Sequence, residues 1–215
     1  MSAQQTAAEV APLSRVERRK AELRREIIDA AFECFAANGY HATGIADIAA
    51  RLGIGHGTFY RYFANKRDIV EHVINDLIER VVATLTAENA PDAPHSLEEY
   101  RAQTARIGDA LADVFGEDPR VPRMLLLVAP GIDKEMGARI LDFFALATTL
   151  TAAYVQHGVT EGYLPDDLDV DNTARAINGM ILASVLAALH DPELDQQRLR
   201  AAIQRVMYDG ISGRR

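Results

Sequence analysis

The positions of the prolines constrain the fold of this chain more than any other feature. A proline inside an α-helix removes a backbone hydrogen bond and clashes with the preceding turn, at a cost of about 3 kcal/mol. All eight prolines fall between long stretches rich in Ala, Leu, Ile, Glu and Arg, at Pro12, Pro91, Pro94, Pro119, Pro122, Pro130, Pro165 and Pro192. Apolar residues recur in those stretches at three- and four-residue spacing, and none alternates with period two long enough to form a strand. We therefore predict an all-α protein.

The amino-terminal third carries start and stop signals for short helices. Ser14 and Glu17 have the spacing of a capping box, which predicts the start of a first helix, and Gly39 is placed to end it. Thr43 is a predicted N-cap of a second helix that ends at Gly53. Two short helices joined by a glycine-containing turn and packed on a longer one are typical of the helix-turn-helix, whose second helix enters the major groove of DNA.

The third predicted helix, over residues 56–62, is the chemically suggestive one. Phe59 and Phe63 lie one turn apart and are predicted to face the core. Donors that can reach phosphate oxygens or base edges cover the rest of its surface, at His56, Thr58, Tyr60, Arg61 and Tyr62. Lys66 follows at the start of a fourth helix, which Asn65 and Asp68 are predicted to cap. The alternative is that the tyrosines only pack and that Arg61 is a solvated surface charge.

The same region resembles a known family. The segments Gly39-Tyr40-His41-Ala42-Thr43, Ile48-Ala49, Leu52-Gly53-Ile54 and residues 57–66 are similar, in order and spacing, to the DNA-binding domain of the TetR family of bacterial transcriptional regulators. The resemblance covers about residues 18–73. It implies a homodimer with two helix-turn-helix heads and a larger helical domain, in which a bound ligand moves the fourth helix and releases the operator.

The resemblance also implies roles for particular residues. Tyr60 and Lys66 match positions that usually contact DNA phosphates in the family. Thr43 is a further candidate, because its amide and hydroxyl would sit at the positive end of the second helix. The residues expected to reach the groove are His56, Thr58, Arg61 and Tyr62. Gly55 departs from the family, where many members have Ser or a similar cap, so the third helix is expected to begin less rigidly.

Five further helices are predicted after a polar, proline-containing linker at residues 88–95. They cover residues 96–116, 119–128, 133–162, 169–190 and 192–209, and a capping box at Ser96 and Glu99 begins the first of them. The predicted domains are a flexible segment at 1–13, a DNA-binding domain at 14–67 and a ligand-binding and dimerisation domain at 68–215.

The carboxyl-terminal helices are apolar on more than one side and must bury both sides. By the resemblance, the last two form the dimer interface, with candidate contacts at Ile181, Ser184, Val185 and Ala188. A pocket for a lipophilic ligand is expected to have apolar walls with a few polar groups. The candidate pocket residues are Phe115, Met124, Leu125, Phe144, Thr148, Tyr154 and Met180. Plain core packing is the alternative for each. An acyl-CoA, a fatty acid, a hydrophobic drug and a steroid-like compound are all compatible.

Other chemistry is not indicated. The six histidines form no metal-ligand motif, and neither a metal nor a cofactor is predicted. No paired base and nucleophile points to an enzyme. Cys34, the single cysteine, is predicted to be an inert packing thiol, with a redox switch as the alternative. Residues 1–20 contain no apolar signal region and no uninterrupted apolar run reaches 18 residues, so we expect a cytoplasmic protein without a membrane partner.

The charge distribution divides the chain in the same way as the helices do. The net charge of −8 argues against a nucleic-acid partner at first sight. Residues 1–67, however, carry 10 Lys and Arg against 7 Asp and Glu, while the remainder carries 13 against 24. The predicted function is a repressor released from a palindromic, double-stranded operator by a small, hydrophobic effector. The alternatives are a lipid-binding helical carrier or enzyme without sequence-specific DNA binding, and a protein that coats DNA non-specifically.

Overall fold

The computed structural model describes residues 14–86 and 90–209, and across these ranges the chain is helical and has no strand. The all-α prediction is confirmed. The helices are α1 Arg15–Asn38, α2 Ile45–Leu52, α3 His56–Tyr60, α4 Lys66–Thr86, α5 Leu97–Glu117, α6 Arg120–Arg123, α7 Lys134–Thr160, α8 Val170–His190 and α9 Gln196–Asp209. A π-helical turn, Met124–Val128, and a 3₁₀ turn, Ala129–Gly131, follow α6. The segment predicted to be flexible, residues 1–13, lies outside the described residues, as do positions 88 and 89 of the predicted linker.

The chain forms two compact units. Among the described residues, the first unit comprises 14–38 and 42–73, and the second comprises 39–41 and 74–209. The division falls between Val73 and Ile74, inside α4, whereas the sequence places a domain boundary after Arg67, at the start of that helix.

The first unit is built on α1 to α3 and the beginning of α4. The capping box is confirmed, since the Ser14 hydroxyl accepts from the Glu17 amide at 3.2 Å and the Glu17 carboxylate accepts from the Ser14 amide at 2.8 Å. That second bond lowers the pKa of Glu17. The α2 helix ends, as predicted, at Gly53, whose φ of 66° lies in the left-handed region that favours glycine. The core is formed by buried side chains of all four helices, among them Ile27, Phe35, Ile48, Phe59, Phe63 and Ile69.

Two predictions for this unit are wrong in detail. The N-cap of α2 is Gly44 instead of Thr43, and the carboxylate of Asp47 accepts from the Gly44 amide at 2.7 Å. The α3 helix ends at Tyr60, two residues before the predicted end, and Arg61 and Tyr62 form a turn. Gly55 is the N-cap of α3 and makes no side-chain cap, which leaves this short helix without that stabilisation.

The helices of the second unit begin mostly where side-chain caps predict them. The side chains of Ser96, Asp133 and Asp169 accept hydrogen bonds from the amides three residues ahead, at 3.2, 2.8 and 3.1 Å. The start predicted for the last helix near Pro192 is wrong. Asp195 accepts from the Arg198 amide at 3.0 Å, and α9 therefore begins at Gln196.

Pro122 is an exception to the rule that prolines separate the helices, because it lies within α6. It is the third residue of that helix, where the backbone amide would have no partner inside the helix. The cost of a proline is therefore small at this position.

The carboxyl end of α7 is closed by a tight turn. The amides of Tyr163 and Leu164 both donate to the carbonyl oxygen of Gly158, at 3.1 and 3.0 Å. A Cβ atom on Gly158 would lie 2.6 Å from side-chain atoms of each of these residues. A larger residue at this position would require the Tyr163 and Leu164 side chains to move.

Two of the described helices, α7 and α8, are long and apolar enough to cross a membrane by length and composition alone. That is weak evidence, because helices that pack in soluble proteins pass the same test. The two helices pack against each other, and the Asn178 side chain donates to the Thr151 hydroxyl at 2.9 Å. Few of the residues in their apolar windows are fully buried in the single chain.

Candidate nucleic-acid interface

The buried rings of Phe59 and Phe63 determine which side chains of α3 face outward. Their centroids lie 5.8 Å apart, and both rings are in the core of the first unit. Tyr60 is consequently 54% exposed. Of the other residues predicted here, His56 and Arg61 are exposed, while Thr58, Tyr62 and Lys66 are half-buried. Five of the seven predicted DNA-binding residues thus lie on α3 and the turn that follows it, and a sixth, Lys66, is the first residue of α4.

Thr43 is the seventh predicted residue, and its hydroxyl points into the interior of the first unit. The side chain is 1% exposed, and its hydroxyl donates to the Cys34 carbonyl oxygen at 3.1 Å. The phosphate contact expected of Thr43 stays a prediction, and in the free chain this hydroxyl is engaged inside the protein. At the start of α2, the exposed amide of Gly44 already donates to the Asp47 carboxylate, whose negative charge opposes a phosphate.

A cationic groove lies beside the end of α3. It has a volume of about 670 Å³, and it is lined by Arg15, Val16, Arg19, Lys20, Leu23, Arg61 and Tyr62. Four of these residues are cations, and three of them come from the first turns of α1. Arg19 also lies 3.5 Å from the Glu22 carboxylate and 3.9 Å from that of Glu26, which offsets part of its charge.

Sequence reasoning missed the three α1 cations of this groove. A signal was present, because Arg15 and Arg19 extend the four-residue spacing of Leu23 and Ile27 toward the amino terminus, with cations in place of apolar side chains. What the sequence does not reveal is that the turn after α3 brings Arg61 beside the amino-terminal end of α1.

The beginning of α4 is held by its cap and by α1. The predicted cap is confirmed, since the Asn65 side chain accepts from the Asp68 amide at 2.9 Å, and this sets the position of Lys66 as the first residue of the helix. The guanidinium of Arg24 lies over the Phe63 ring at 5.1 Å and 3.1 Å from the ring nitrogens of His72 on α4. Through Arg24, these contacts join α1 to Phe63, which lies between α3 and α4, and to His72 on α4.

The predicted effector-pocket residues lie in different surroundings. Met124, Leu125 and Tyr154 are buried in the core of the second unit, and burial raises the pKa of the Tyr154 phenol. The hydroxyl of Thr148 donates to the carbonyl of Phe144 on its own helix at 2.9 Å. Phe115, Phe144 and Met180 are half-buried.

One groove on the second unit has an apolar wall formed by α4 and α7. Its volume is about 330 Å³, and it is lined by Asn75, Ile78, Glu79, Arg139, Asp142, Phe143 and Leu146. None of the seven predicted pocket residues lines this groove. Phe143 is the immediate neighbour of the predicted Phe144, on the same helix.

The predicted dimer contacts lie on the side of α8 that faces the protein. Ile181, Ser184, Val185 and Ala188 are half-buried, and they lie on the side near Ala174, which is fully buried. The exposed residues of α8 recur at three- and four-residue spacing on the opposite side, at Ala176, Gly179, Ala183 and Leu186. The predicted contact row is partly covered within one chain and stays a prediction, and the exposed row on the opposite side is a second candidate for the dimer contact.

Two other predicted features have clear positions. Cys34 is buried, as expected of a packing thiol, and burial raises its pKa. Among the residues that the structure describes, one group of metal-ligating side chains lies together, at His95, His157 and Glu161. The expectation of no metal site depended on spacing within short motifs, which overlooks ligands from separate segments.

Comparison with known proteins agrees with this geometry. Residues 27–73 match the profile of the family described as bacterial regulatory proteins, tetR family. An HTH-type transcriptional repressor of Mycobacterium tuberculosis is 33% identical over 130 residues, which cover 59% of this chain and 69% of that protein. The fatty acid metabolism regulator protein of Bacillus subtilis is 23% identical over 187 residues, which cover 86% of this chain and 94% of that protein.

A solved structure shares the fold across both units. The crystal structure of FadR from B. subtilis in complex with stearoyl-CoA superimposes with a TM-score of 0.73 at 23% identity, and the match covers 87% of this chain and 99% of that one. The matched family profile spans the second half of α1 through the start of α4, which is the part that carries the exposed polar surface of α3. The chain belongs to the TetR family of bacterial regulatory proteins, and it is a DNA-binding transcriptional regulator.

Proposed function

We propose that this regulator is a cytoplasmic repressor that leaves its operator when a small hydrophobic effector binds to the second unit. The observation that carries the proposal is the polar, cationic surface of α3 and the adjoining groove, presented by the buried rings of Phe59 and Phe63. The repressor named in M. tuberculosis supports the direction of regulation.

The residues of this surface have two roles in the proposal, contact with phosphates and contact with bases. Tyr60 and Lys66 donate to phosphate oxygens, which position the protein without reading sequence. The side chains that read base edges in the major groove are His56, Thr58, Arg61 and Tyr62. We add Arg15, Arg19 and Lys20 as phosphate contacts, because they line the same groove as Arg61.

The proposed active form is a homodimer that joins two copies of the second unit through α8 and α9. Ala176, Gly179, Ala183 and Leu186 form an exposed face of mostly small side chains on α8, which permits close approach of a second helix. The described part of α9 has no buried residue, and its Val206 is exposed. A two-fold dimer offers two α3 helices to half-sites one DNA turn apart, about 34–36 Å, which a palindromic operator supplies.

A long-chain acyl thioester is the first effector to test. B. subtilis FadR, which shares the fold, was crystallised with stearoyl-CoA. The second unit of this chain offers apolar side chains that are only partly covered, at Ile78, Phe143, Phe144, Leu146 and Met180. Burial of an acyl chain against such a wall is favourable by about 0.8 kcal/mol for each methylene.

The proposal is tested by footprinting the full-length protein on the DNA that flanks its own gene. We expect protection of one palindromic segment, which stearoyl-CoA abolishes and acetyl-CoA leaves intact, because acetyl-CoA has the same headgroup without the long chain. Binding of stearoyl-CoA with no footprint would support the carrier alternative, and protection without sequence preference would support the DNA-coating alternative. A footprint that is insensitive to both thioesters would remove the acyl effector and leave the DNA-binding assignment standing.

A further inference from the structure

Three metal-ligating side chains converge at the carboxyl end of α7. His157 and Glu161 are four residues apart, so they lie on the same face of the last turn. His95 reaches them from the segment that precedes α5. One ligand atom from each of the three residues lies within 4.8 Å of those of the other two.

One pair in the cluster already has nearly the separation that a shared metal ion requires. The Nδ1 atom of His95 lies 3.5 Å from the Oε2 atom of Glu161. Two ligands bound to one tetrahedral Zn²⁺ at about 2.0–2.1 Å each are about 3.3 Å apart. The ligand atom of His157 lies within 4.8 Å of those of the other two residues, so His157 has to move closer to bind the same ion.

The hydrogen bond that His157 makes to the backbone is of the kind found in metal-bound histidines. The Nε2 atom of His157 lies 2.9 Å from the Pro94 carbonyl oxygen, and because a carbonyl can only accept, Nε2 carries the proton. The remaining nitrogen, Nδ1, then has a free lone pair. Metal-binding histidines characteristically donate their other ring N–H to a carbonyl or carboxylate in this way.

Two further contacts hold the surrounding segments. The His95 amide donates to the Glu99 carboxylate at 2.7 Å, which ties this residue to the first turn of α5. The His157 ring lies against that of Tyr163, with centroids 6.1 Å apart. The backbone positions of the two histidines are therefore set independently of any ion.

We propose that His95, His157 and Glu161 bind a divalent transition metal ion, with Zn²⁺ as the cation that the ligands fit best. Two imidazoles and one carboxylate form a three-ligand zinc set, with water in the fourth position. Mg²⁺ and Ca²⁺ fit poorly because they prefer oxygen ligands. Since His95 and Glu161 are exposed, the ion exchanges with solvent. When bound, it joins the segment before α5 to the end of α7.

The test is titration of the chelator-treated, full-length protein with Co²⁺, which absorbs strongly in the visible range when four-coordinate, followed by displacement with Zn²⁺. We expect one equivalent per chain. His95→Ala and Glu161→Gln should each weaken binding by at least about tenfold. His190→Ala is the matched control, because this histidine is exposed at the end of α8 outside the cluster.

Thermal unfolding gives a second readout, since an ion that binds only the folded chain raises Tm further as its concentration increases. Zn²⁺ should raise the Tm of the wild type and of His190→Ala, and should not raise that of His95→Ala. Absence of saturable Co²⁺ binding by the wild type would overturn the proposal. So would equal affinity in the wild type, His95→Ala and Glu161→Gln.

Discussion

The hydroxyl of Thr43 donates to the carbonyl oxygen of Cys34 in the interior of the first unit, across 3.1 Å, and thereby joins the residue before the α2 cap to α1. Thr43→Val keeps the shape of the side chain and removes the donor. We expect it to lower the free energy of unfolding by about 1 kcal/mol, because a buried hydrogen bond to α1 is lost. Urea unfolding followed by circular dichroism measures this change.

Thr43→Ser is the matched control, since it retains the hydroxyl and loses only a methyl group. It should be more stable than Thr43→Val. If Thr43→Val instead unfolded like the wild type and lost operator affinity, Thr43 would be a phosphate contact after all.

Tyr60→Phe combined with Lys66→Ala should weaken binding to operator and to unrelated DNA alike. Phosphate contacts carry no sequence information, and loss of the Lys66 cation should reduce the slope of log affinity against log salt by about 1. Fluorescence anisotropy over a range of salt concentrations measures both quantities. Lys134→Ala removes an exposed cation from the second unit and should leave the slope unchanged. An unaltered slope in the double variant would contradict the proposed role of Lys66.

The groove beside α3 gives a separate prediction for α1. Arg15→Ala with Lys20→Ala removes two of its cations and should reduce the salt slope by about 2, without a change in sequence preference. Arg18→Ala is an informative control, because Arg18 is exposed on the same helix and does not line the groove. If Arg18→Ala reduced the salt slope by as much for each removed charge as the double variant does, the effect would be one of net charge and not of position.

The exposed face of α8 predicts which substitution should prevent dimerisation. Ala183→Arg places a long cation among small side chains, and we expect the protein to become monomeric because an unpaired charge would be buried at the interface. Ala183→Ser adds one polar atom without bulk and should remain dimeric. Light scattering after size exclusion distinguishes the two states. A dimeric Ala183→Arg variant with normal operator binding would move the interface elsewhere.

Local signals predicted much of this fold because helix caps depend on residues close together in sequence. Ser14 with Glu17 and Asn65 with Asp68 were sufficient to locate two helix starts, and both caps are present. The prediction for Thr43 failed because its competing partner, the Cys34 carbonyl, lies on another helix. A threonine that can cap locally has no sequence mark showing that it is used elsewhere.

The same distinction between local signals and tertiary contacts applies to the candidate site. The periodicity of Phe59 and Phe63 was enough to find the outward face of α3, whereas the approach of α1 to Arg61 depends on tertiary packing. On α8, apolar residues surround the helix, so periodicity could not separate the covered side from the exposed one. The predicted contact row around Val185 lies on the half-covered side of α8 and stays a prediction.

The absence of a side chain at Gly158 preorganises the end of α7. The turn back to Tyr163 and Leu164 is closed by two hydrogen bonds to one carbonyl, and Glu161 lies inside that closed loop. The conformational entropy of this segment is lost when the chain folds, so a ligand that engages Glu161 does not have to order it again. Gly158→Ala would displace the Tyr163 and Leu164 side chains that pack over the end of the helix, and would weaken that advantage even though no ligating atom had been changed.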